Sequence, residues 1–314
     1  MNNRKLKIIF MGTPDFAVPC LKELHKNHYD VALVVTQPDR PKGRGRKVIP
    51  TPVKETAISL GYKVIQPVSI KTDNFIEIIR KHEPDLFVVI AYGHILSKNI
   101  LELPRIGSIN IHASLLPKYR GPAPIQWAII NRERETGVTT MFMDEGLDTG
   151  DILLSAKLEI APDDTSAMLH NRLAKLGADL LIKTIKAIEI KEIKPIPQDH
   201  KKATYAPLLK KNDGHINWKK PAEDIEAFIR GITPWPGAFM FYGNKRLKIF
   251  AAEPISTDIT APPGTVIKSF TDELRIATGK GALSILKIQS ESGKQLSIKD
   301  FLRGCSIPPG TILN

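Results

Sequence analysis

The sequence is poor in cysteine, in aromatic residues and in long apolar runs. Its two cysteines, Cys20 and Cys305, lie far apart in no ligand-like spacing. That argues against a disulfide scaffold and a cysteine-bound zinc, and fits a reducing compartment. No apolar window approaches the length that a bilayer crossing needs. The opening "MNNRKLKIIFMG" puts basic residues before an apolar run, but the run passes at once into "TPDFAVP" without the core or cleavage site of a signal peptide. A cytoplasmic protein is expected. Glycine is scarce where a dinucleotide would need it: "FMGTPDFAVP" offers one glycine where G-x-G-x-x-G needs three, and a Walker A loop is missing as well. Acid is scarce relative to base, with 33 Asp and Glu against 45 Lys and Arg, a net charge of +12. Such a balance suits a phosphate-bearing partner, although a merely soluble basic enzyme would show it too.

With 314 residues, 42% of them hydrophobic, the chain can bury a sizeable core in one large or two modest domains. Leu6–Gly12, Val31–Gln37 and Asp85–Gly93 are short apolar runs bounded by turn residues, the pattern of strands covered on both faces. Between them, residues 15–28 place Phe16, Cys20, Leu21 and Leu24 on one helical face, and residues 73–83 repeat Phe75, Ile76, Ile78 and Ile79 near helical spacing. Strand–helix alternation implies a parallel sheet with right-handed crossovers. A long helix is expected after "PDDTSAMLHNRL", capped by Asp164 or Thr165 and lined by Leu169, Leu173, Leu176 and Leu180. It fades into the charged, proline-containing "EIKEIKPIPQDHKKATYAP", read as a linker. Beyond Tyr205 one helix, starting at Pro221, precedes hairpin patterns turning at Gly243–Asn244 and Gly279–Gly281. The expected fold is α/β: a Rossmann-like, mostly parallel sheet with helices on both faces, then a smaller OB-like β-barrel. The expected boundaries are 1–190, a linker over 191–208, and 209–314.

The stretch "GSINIHASLLPKYRGPAP" starts as a strand, so Asn110 and His112 share one face and Ile109 and Ile111 the other. The polar pair falls at the carboxyl end of the strand, the edge at which open α/β sheets bind ligands. After a further apparent strand, "GVTTMFM", the glycine-broken "DEGLDTGD" offers Asp144, Asp148 and Asp151. Asp148 lies between two glycines that let the backbone turn it toward the sheet edge. An amide donor, an imidazole and a carboxylate are the ingredients of proton transfer with oxyanion stabilisation. Each alone also has a structural reading, as a hydrogen-bonded core histidine, a strand-end asparagine and a turn. The residues by themselves leave both readings open.

"INIHASLLPKYRGPAPIQWAI" together with "MDEGLDTGDIL" resembles the signature of the folate-dependent formyltransferase family. "IIFMGTPDFAVPCL", "TQPDRPKGRGRK", "VIAYGHIL", "TYAP", "INW" and "TPWPGAF" extend the resemblance, in order, from near residue 5 to near the C-terminus. They point to the branch of the family that formylates methionyl initiator tRNA. The resemblance implies an enzyme that takes the formyl group of 10-formyltetrahydrofolate, its co-substrate, to the α-amine of the methionine, for translation initiation. It implies a catalytic trio of Asn110, His112 and Asp148. It also implies folate contacts from Ser114, Leu115, Leu116 and Pro117, further backbone contacts around Tyr92–Leu96, and no metal. Other folate formyltransferases, acting on sugar-nucleotide amines or a small glycinamide, share the trio and stand as the nearest rivals.

The basic residues speak for RNA among those rivals. Residues 37–54 gather Arg40, Lys42, Arg44, Arg46 and Lys47 with one acid, Asp39. Such a loop is too polar to pack and suited to phosphate. The resemblance implies that it orders on the tRNA acceptor end, with Arg44 the chief contact and Arg40, Lys42 and Arg46 supporting it. Residues 206–314 hold 15 Lys and Arg against 10 Asp and Glu, so basicity runs through both parts of the chain. Lys210, Lys211, Lys245, Arg246 and Lys248 are further candidates. Leu208 stands where the resemblance expects a lysine after "TYAP", which shifts or removes one RNA contact at the junction. A monomer is expected.

Overall fold

The computed structural model describes residues 5–42, 47–270 and 272–314. The chain forms two compact units, each assembled from separate stretches: Met1–Gly121, Thr136–Glu159 and His170–Tyr205 in the first, and Pro122–Glu135, Ile160–Leu169 and Ala206–Asn314 in the second.

The apolar runs of the first unit become strands because both their faces are covered. Its strands are β1 (Lys7–Gly12), β2 (Asp30–Val35), β3 (Arg40–Lys42), β4 (Lys47–Ile49), β5 (Val64–Ile65), β6 (Leu86–Ile90), β7 (Gly107–His112), β8 (Glu135–Phe142) and β9 (Ile152–Glu159). Seven of them make one sheet in the order β5-β2-β1-β6-β7-β8-β9, while β3 and β4 pair apart as a small hairpin. From β5 to β7 the pairings are parallel, and β8 joins β7 antiparallel. Its helices are α1 (Val18–Lys26), α2 (Pro52–Ser59), α3 (Asp73–Lys81) and α4 (Lys98–Leu101). Thr51 and Thr72 cap α2 and α3 by accepting from the amides of Lys54 and Phe75. Phe75 and Ile79 of α3 and Ile100 of α4 pack with Ile9, Met11, Leu33, Val35, Phe87 and Val89 on one face of the sheet. The other face receives α6 (Ser166–Glu189). There Gly177 lies so close that a Cβ would stand 3.1 Å from Ile111 Cγ2 and 3.5 Å from Val138 Cγ1. Of the two capping candidates for α6, Thr165 takes the role, accepting from the amide of Met168, while Asp164 accepts from Ala161 in the preceding turn. Among the described residues no helix is long and apolar enough to cross a membrane.

The second unit opens with α5 (Pro124–Ile130), which packs on α7 (Ala222–Gly231). The hairpin expectations hold: β10 (Ala238–Tyr242) turns at Gly243–Asn244 into β11 (Lys245–Ile255), and β13 (Glu273–Ala277) turns through 278–281 into β14 (Ala282–Ser290). With β12 (Val266–Phe270) they form the antiparallel order β10-β11-β14-β13-β12, and β15 (Leu296–Ser297) pairs β14 ahead of α8 (Ile298–Leu302). The two outer strands do not stay open. Leu313 donates to Gly264 just ahead of β12, and Phe241 of β10 exchanges backbone hydrogen bonds with Asn314. The C-terminal residues thus close the sheet into a barrel, covering edges that would otherwise be free to pair elsewhere. Ile225 and Ile229 of α7 share its core with Met240, Leu247, Ile249, Ile276, Ile285 and Ile288.

Candidate active site

Strand β7 carries its polar pair to the carboxyl end of the sheet, beside the end of β6, where Val89 and Asn110 are partners. Past β6 the backbone turns through positive φ at Ala91 (45°) and Gly93 (85°). The carbonyl of Tyr92 between them accepts from Thr13 Oγ1 at 3.0 Å and Gln37 Nε2 at 3.1 Å. Asn110 is half-buried, and among the described residues nothing hydrogen-bonds its side-chain amide, so that donor is available to a ligand.

His112 is buried, with both ring nitrogens facing protein groups. Its Nε2 lies 2.8 Å from the carbonyl of Tyr119, which can only accept, so Nε2 carries a hydrogen. The carbonyl is aimed there by a left-handed backbone at Tyr119, φ 60°. The other nitrogen, Nδ1, stands 3.5 Å from Asp148 Oδ2. That oxygen also accepts from the amide of Gly121 at 2.7 Å.

Of the three acids in the glycine-broken loop, Asp148 is the one that meets the imidazole. Asp144 turns inward on the loop, accepting from Gly146 N and Thr149 Oγ1. Asp151 holds the strand ends together, its carbonyl accepting from Phe142. The left-handed turn falls on Asp148 itself, φ 54°. Asp is among the few non-glycine residues that adopt it readily. Gly150 is needed for closeness: a Cβ there would sit 1.9 Å from the carbonyl oxygen of Phe142.

Ser114 through Pro117 follow His112 after Ala113. The Ser114 hydroxyl donates to the carbonyl of Lys118 at 2.6 Å, and Thr139 Oγ1 links the Ser114 carbonyl to the Leu116 amide. The serine thus shapes a turn. A cleft of about 370 Å³ lined by Ile65, Val68, Thr72, Phe75 and neighbours lies beside β5 and includes none of these residues.

Arg44 and Arg46 lie outside the described residues, as does the side chain of Lys42. Arg40 is exposed and donates to Gln37 Oε1 at 2.9 Å, so the root of the basic hairpin is tied through Gln37 to Tyr92. Asp39 at the same root is held below the usual carboxylate range by hydrogen bonds from Lys54 and Gln66. In the second unit Lys210, Lys211 and Lys245 are exposed, Lys248 is half-buried and Arg246 lies over the ring of Phe239 at 3.6 Å. Leu208 is exposed. Among the described residues no group of three His, Cys, Asp or Glu could hold a metal ion.

Two residues near Asp148 escaped the sequence reading. Arg120 is 1% exposed and Gln198 6%. Arg120 lies within the proline- and glycine-rich motif but gives no sign of being buried. Gln198 belongs to the stretch read as a linker, which runs along the first unit: Ile196 pairs with Ile152, and the amides of Tyr119 and Arg120 donate to Thr204.

A profile described as "Formyl transferase" matches residues 5–185, and one for the formyl transferase C-terminal domain matches residues 208–306. The chain belongs to the formyl transferase family. Within it, the protein named methionyl-tRNA formyltransferase from Caldanaerobacter subterraneus subsp. tengcongensis is 52% identical over 309 residues, covering 98% of this chain and 100% of that one. Among solved structures, the N-formyltransferase from Helicobacter canadensis, in complex with folinic acid and dTDP-3-aminofucose, superposes with a TM-score of 0.66 at 23% identity, covering 93% of this chain and all of that one. HypX from Aquifex aeolicus in complex with tetrahydrofolic acid gives 0.64 at 18% identity over 95% of this chain and 47% of that one. At such identities the structural likeness speaks for the fold.

Proposed function

We propose that the protein transfers the formyl group of 10-formyltetrahydrofolate to the α-amine of methionyl initiator tRNA, giving formylmethionyl-tRNA and tetrahydrofolate. The near full-length identity to a protein of that name carries the reading. The pairing of His112 with Asp148 beside the unengaged amide of Asn110 supports the chemistry.

The amine attacks the formyl carbon, the carbon–nitrogen bond to the folate breaks, and one proton leaves the attacking nitrogen as one reaches the leaving nitrogen. A free α-amine has a pKa near ~8 and is mostly protonated at neutral pH, so a base must act before or during attack. Asp148 orients His112 and assists removal of that proton. Asn110 donates to the formyl oxygen as it gains charge, a type of contact worth ~3–4 kcal/mol. The Nε2–H of His112, held by Tyr119 O, becomes a second donor when the formyl oxygen replaces that carbonyl. Ser114–Pro117 and the turn at Tyr92–Leu96 contact the folate through backbone and apolar groups. Arg44, with Arg40, Lys42 and Arg46, meets the phosphates of the acceptor end.

A formylation assay with charged initiator and elongator methionine tRNAs tests the reading. Product is expected with the initiator alone, and a sugar-nucleotide amine should not compete. Equal reaction of both tRNAs removes the initiator assignment, and reaction of neither removes the RNA assignment. His112→Ala should lower kcat by roughly 10²–10⁴-fold with tRNA affinity unchanged. An active His112→Ala enzyme would remove the trio.

A further inference from the structure

The side chain of Gln198 uses all of its hydrogen-bonding capacity at one place. Its Nε2 donates to the carbonyls of Asp148 at 2.9 Å and Gly150 at 2.7 Å. Its Oε1 accepts from Arg120 Nε at 3.1 Å and Nη2 at 2.7 Å. The orientation of the amide is fixed by its neighbours, because the reverse would aim N–H groups at a guanidinium and an oxygen at two carbonyls. Arg120 is held in turn: Nη1 lies 3.2 Å from His200 Nδ1, and its backbone amide donates to Thr204. The segment that delivers Gln198 is stiff. Pro195 and Pro197 flank Ile196, which the following proline biases toward extended backbone, and Ile196 exchanges both its hydrogen bonds with Ile152.

The two carbonyls that Gln198 holds bracket the turn on which Asp148 adopts its left-handed backbone. A rotation of that turn would swing Oδ2 away from both Gly121 N and His112 Nδ1, contacts that depend on the turn's orientation. We propose that Gln198, seated on Arg120, is a positioning residue that holds the Asp148 turn in register with His112. The inference rests on the assignment of Asp148 and His112 to the reaction proposed above. Gln198 itself does not face the reacting atoms. It acts through the backbone of the residue that does.

The test uses the full chain, initiator methionyl-tRNA and 10-formyltetrahydrofolate. Gln198→Ala removes both pairs of bonds. Gln198→Glu keeps the acceptor toward Arg120 and sets an oxygen against the two carbonyls. Both should lower kcat by roughly 10–100-fold, as expected of a small misplacement, and leave both KM values within about threefold. A double-mutant cycle separates positioning from general weakening. Combined with Asp148→Ala, Gln198→Ala should cost less than about threefold more, because the group it positions is already gone. Multiplying losses would overturn the proposal, as would unaltered kcat in both single variants. So would failure of both to fold, which would make Gln198 a framework residue. Asp148→Ala with normal activity would instead remove the active-site assignment on which the proposal stands.

Discussion

Tyr92 shows what burial does to one side chain in this fold. It is 2% exposed, and among the described residues its hydroxyl has no hydrogen-bond partner. Burial pushes its pKa up to about 12. Two outcomes follow. Because the ordinary value is 10.0, the unfolded chain ionises this group first, so stability is intact below pH 10 and falls as pH rises from 10 toward 12. Tyr92→Phe removes an unsatisfied buried hydroxyl whose cost is roughly 1–3 kcal/mol. The variant should therefore melt at a higher temperature than the parent and lose less stability over that alkaline window in thermal scans. At this scale the sequence is informative about chemistry and silent about environment. Asn110 and His112 could be assigned to one face by strand period alone, whereas in "DEGLDTGD" the flanking glycines only favour Asp148 over Asp144 and Asp151. Packing made that choice: Asp144 closes its own turn and Asp148 reaches His112.

Among the elements, α6 and the sheet beneath it are fitted through one missing side chain. The apolar positions of the helix were legible from their spacing, but the distance of approach was not. Gly177 sets it, since a Cβ would meet Ile111 Cγ2 at 3.1 Å, and Ile111 belongs to the strand that carries Asn110 and His112. Gly177→Val should destabilise the protein by roughly 1–3 kcal/mol through overpacking, read as a lower midpoint in urea unfolding. Gly177→Ala should be milder, because the gain in helix propensity, up to about 1 kcal/mol, offsets part of the clash. No destabilisation by either variant would show that the helix can move away freely. The stretch 191–205 marks the limit of composition as a guide. Its prolines and charges have the texture of a linker, but Ile196 and Thr204 make backbone pairs in the first unit and Gln198 is buried. Extended chain of this kind carries no periodic signal, since its partners lie far away in sequence.

For the molecule as a whole, the net charge of +12 makes binding to RNA salt-dependent. Affinity for the initiator tRNA should fall at least about tenfold between 50 and 200 mM salt as counterions cease to be released favourably, and a plot of log affinity against log salt should be linear. Affinity for the folate donor should change much less over that range. Filter binding at several salt concentrations reads both, and a flat line for tRNA would contradict a phosphate-led interface. Basicity is a property of composition and so survives any arrangement of the chain. The alternation of apolar runs with amphipathic segments likewise determined the sheet, its helices and the later hairpins, because burial acts on local periodicity. The order of motifs pointed to the family, and the resemblance named Asn110, His112 and Asp148 as its candidate residues. Tertiary structure alone decided that Asp148 reaches the imidazole, that Tyr119 and Gly121 complete its surroundings, that Arg120 and Gln198 are buried nearby, and that residues near the C-terminus close the barrel. Most of those outcomes depend on hydrogen bonds between groups tens of residues apart, whose cost or benefit appears only when the chain has excluded water from between them.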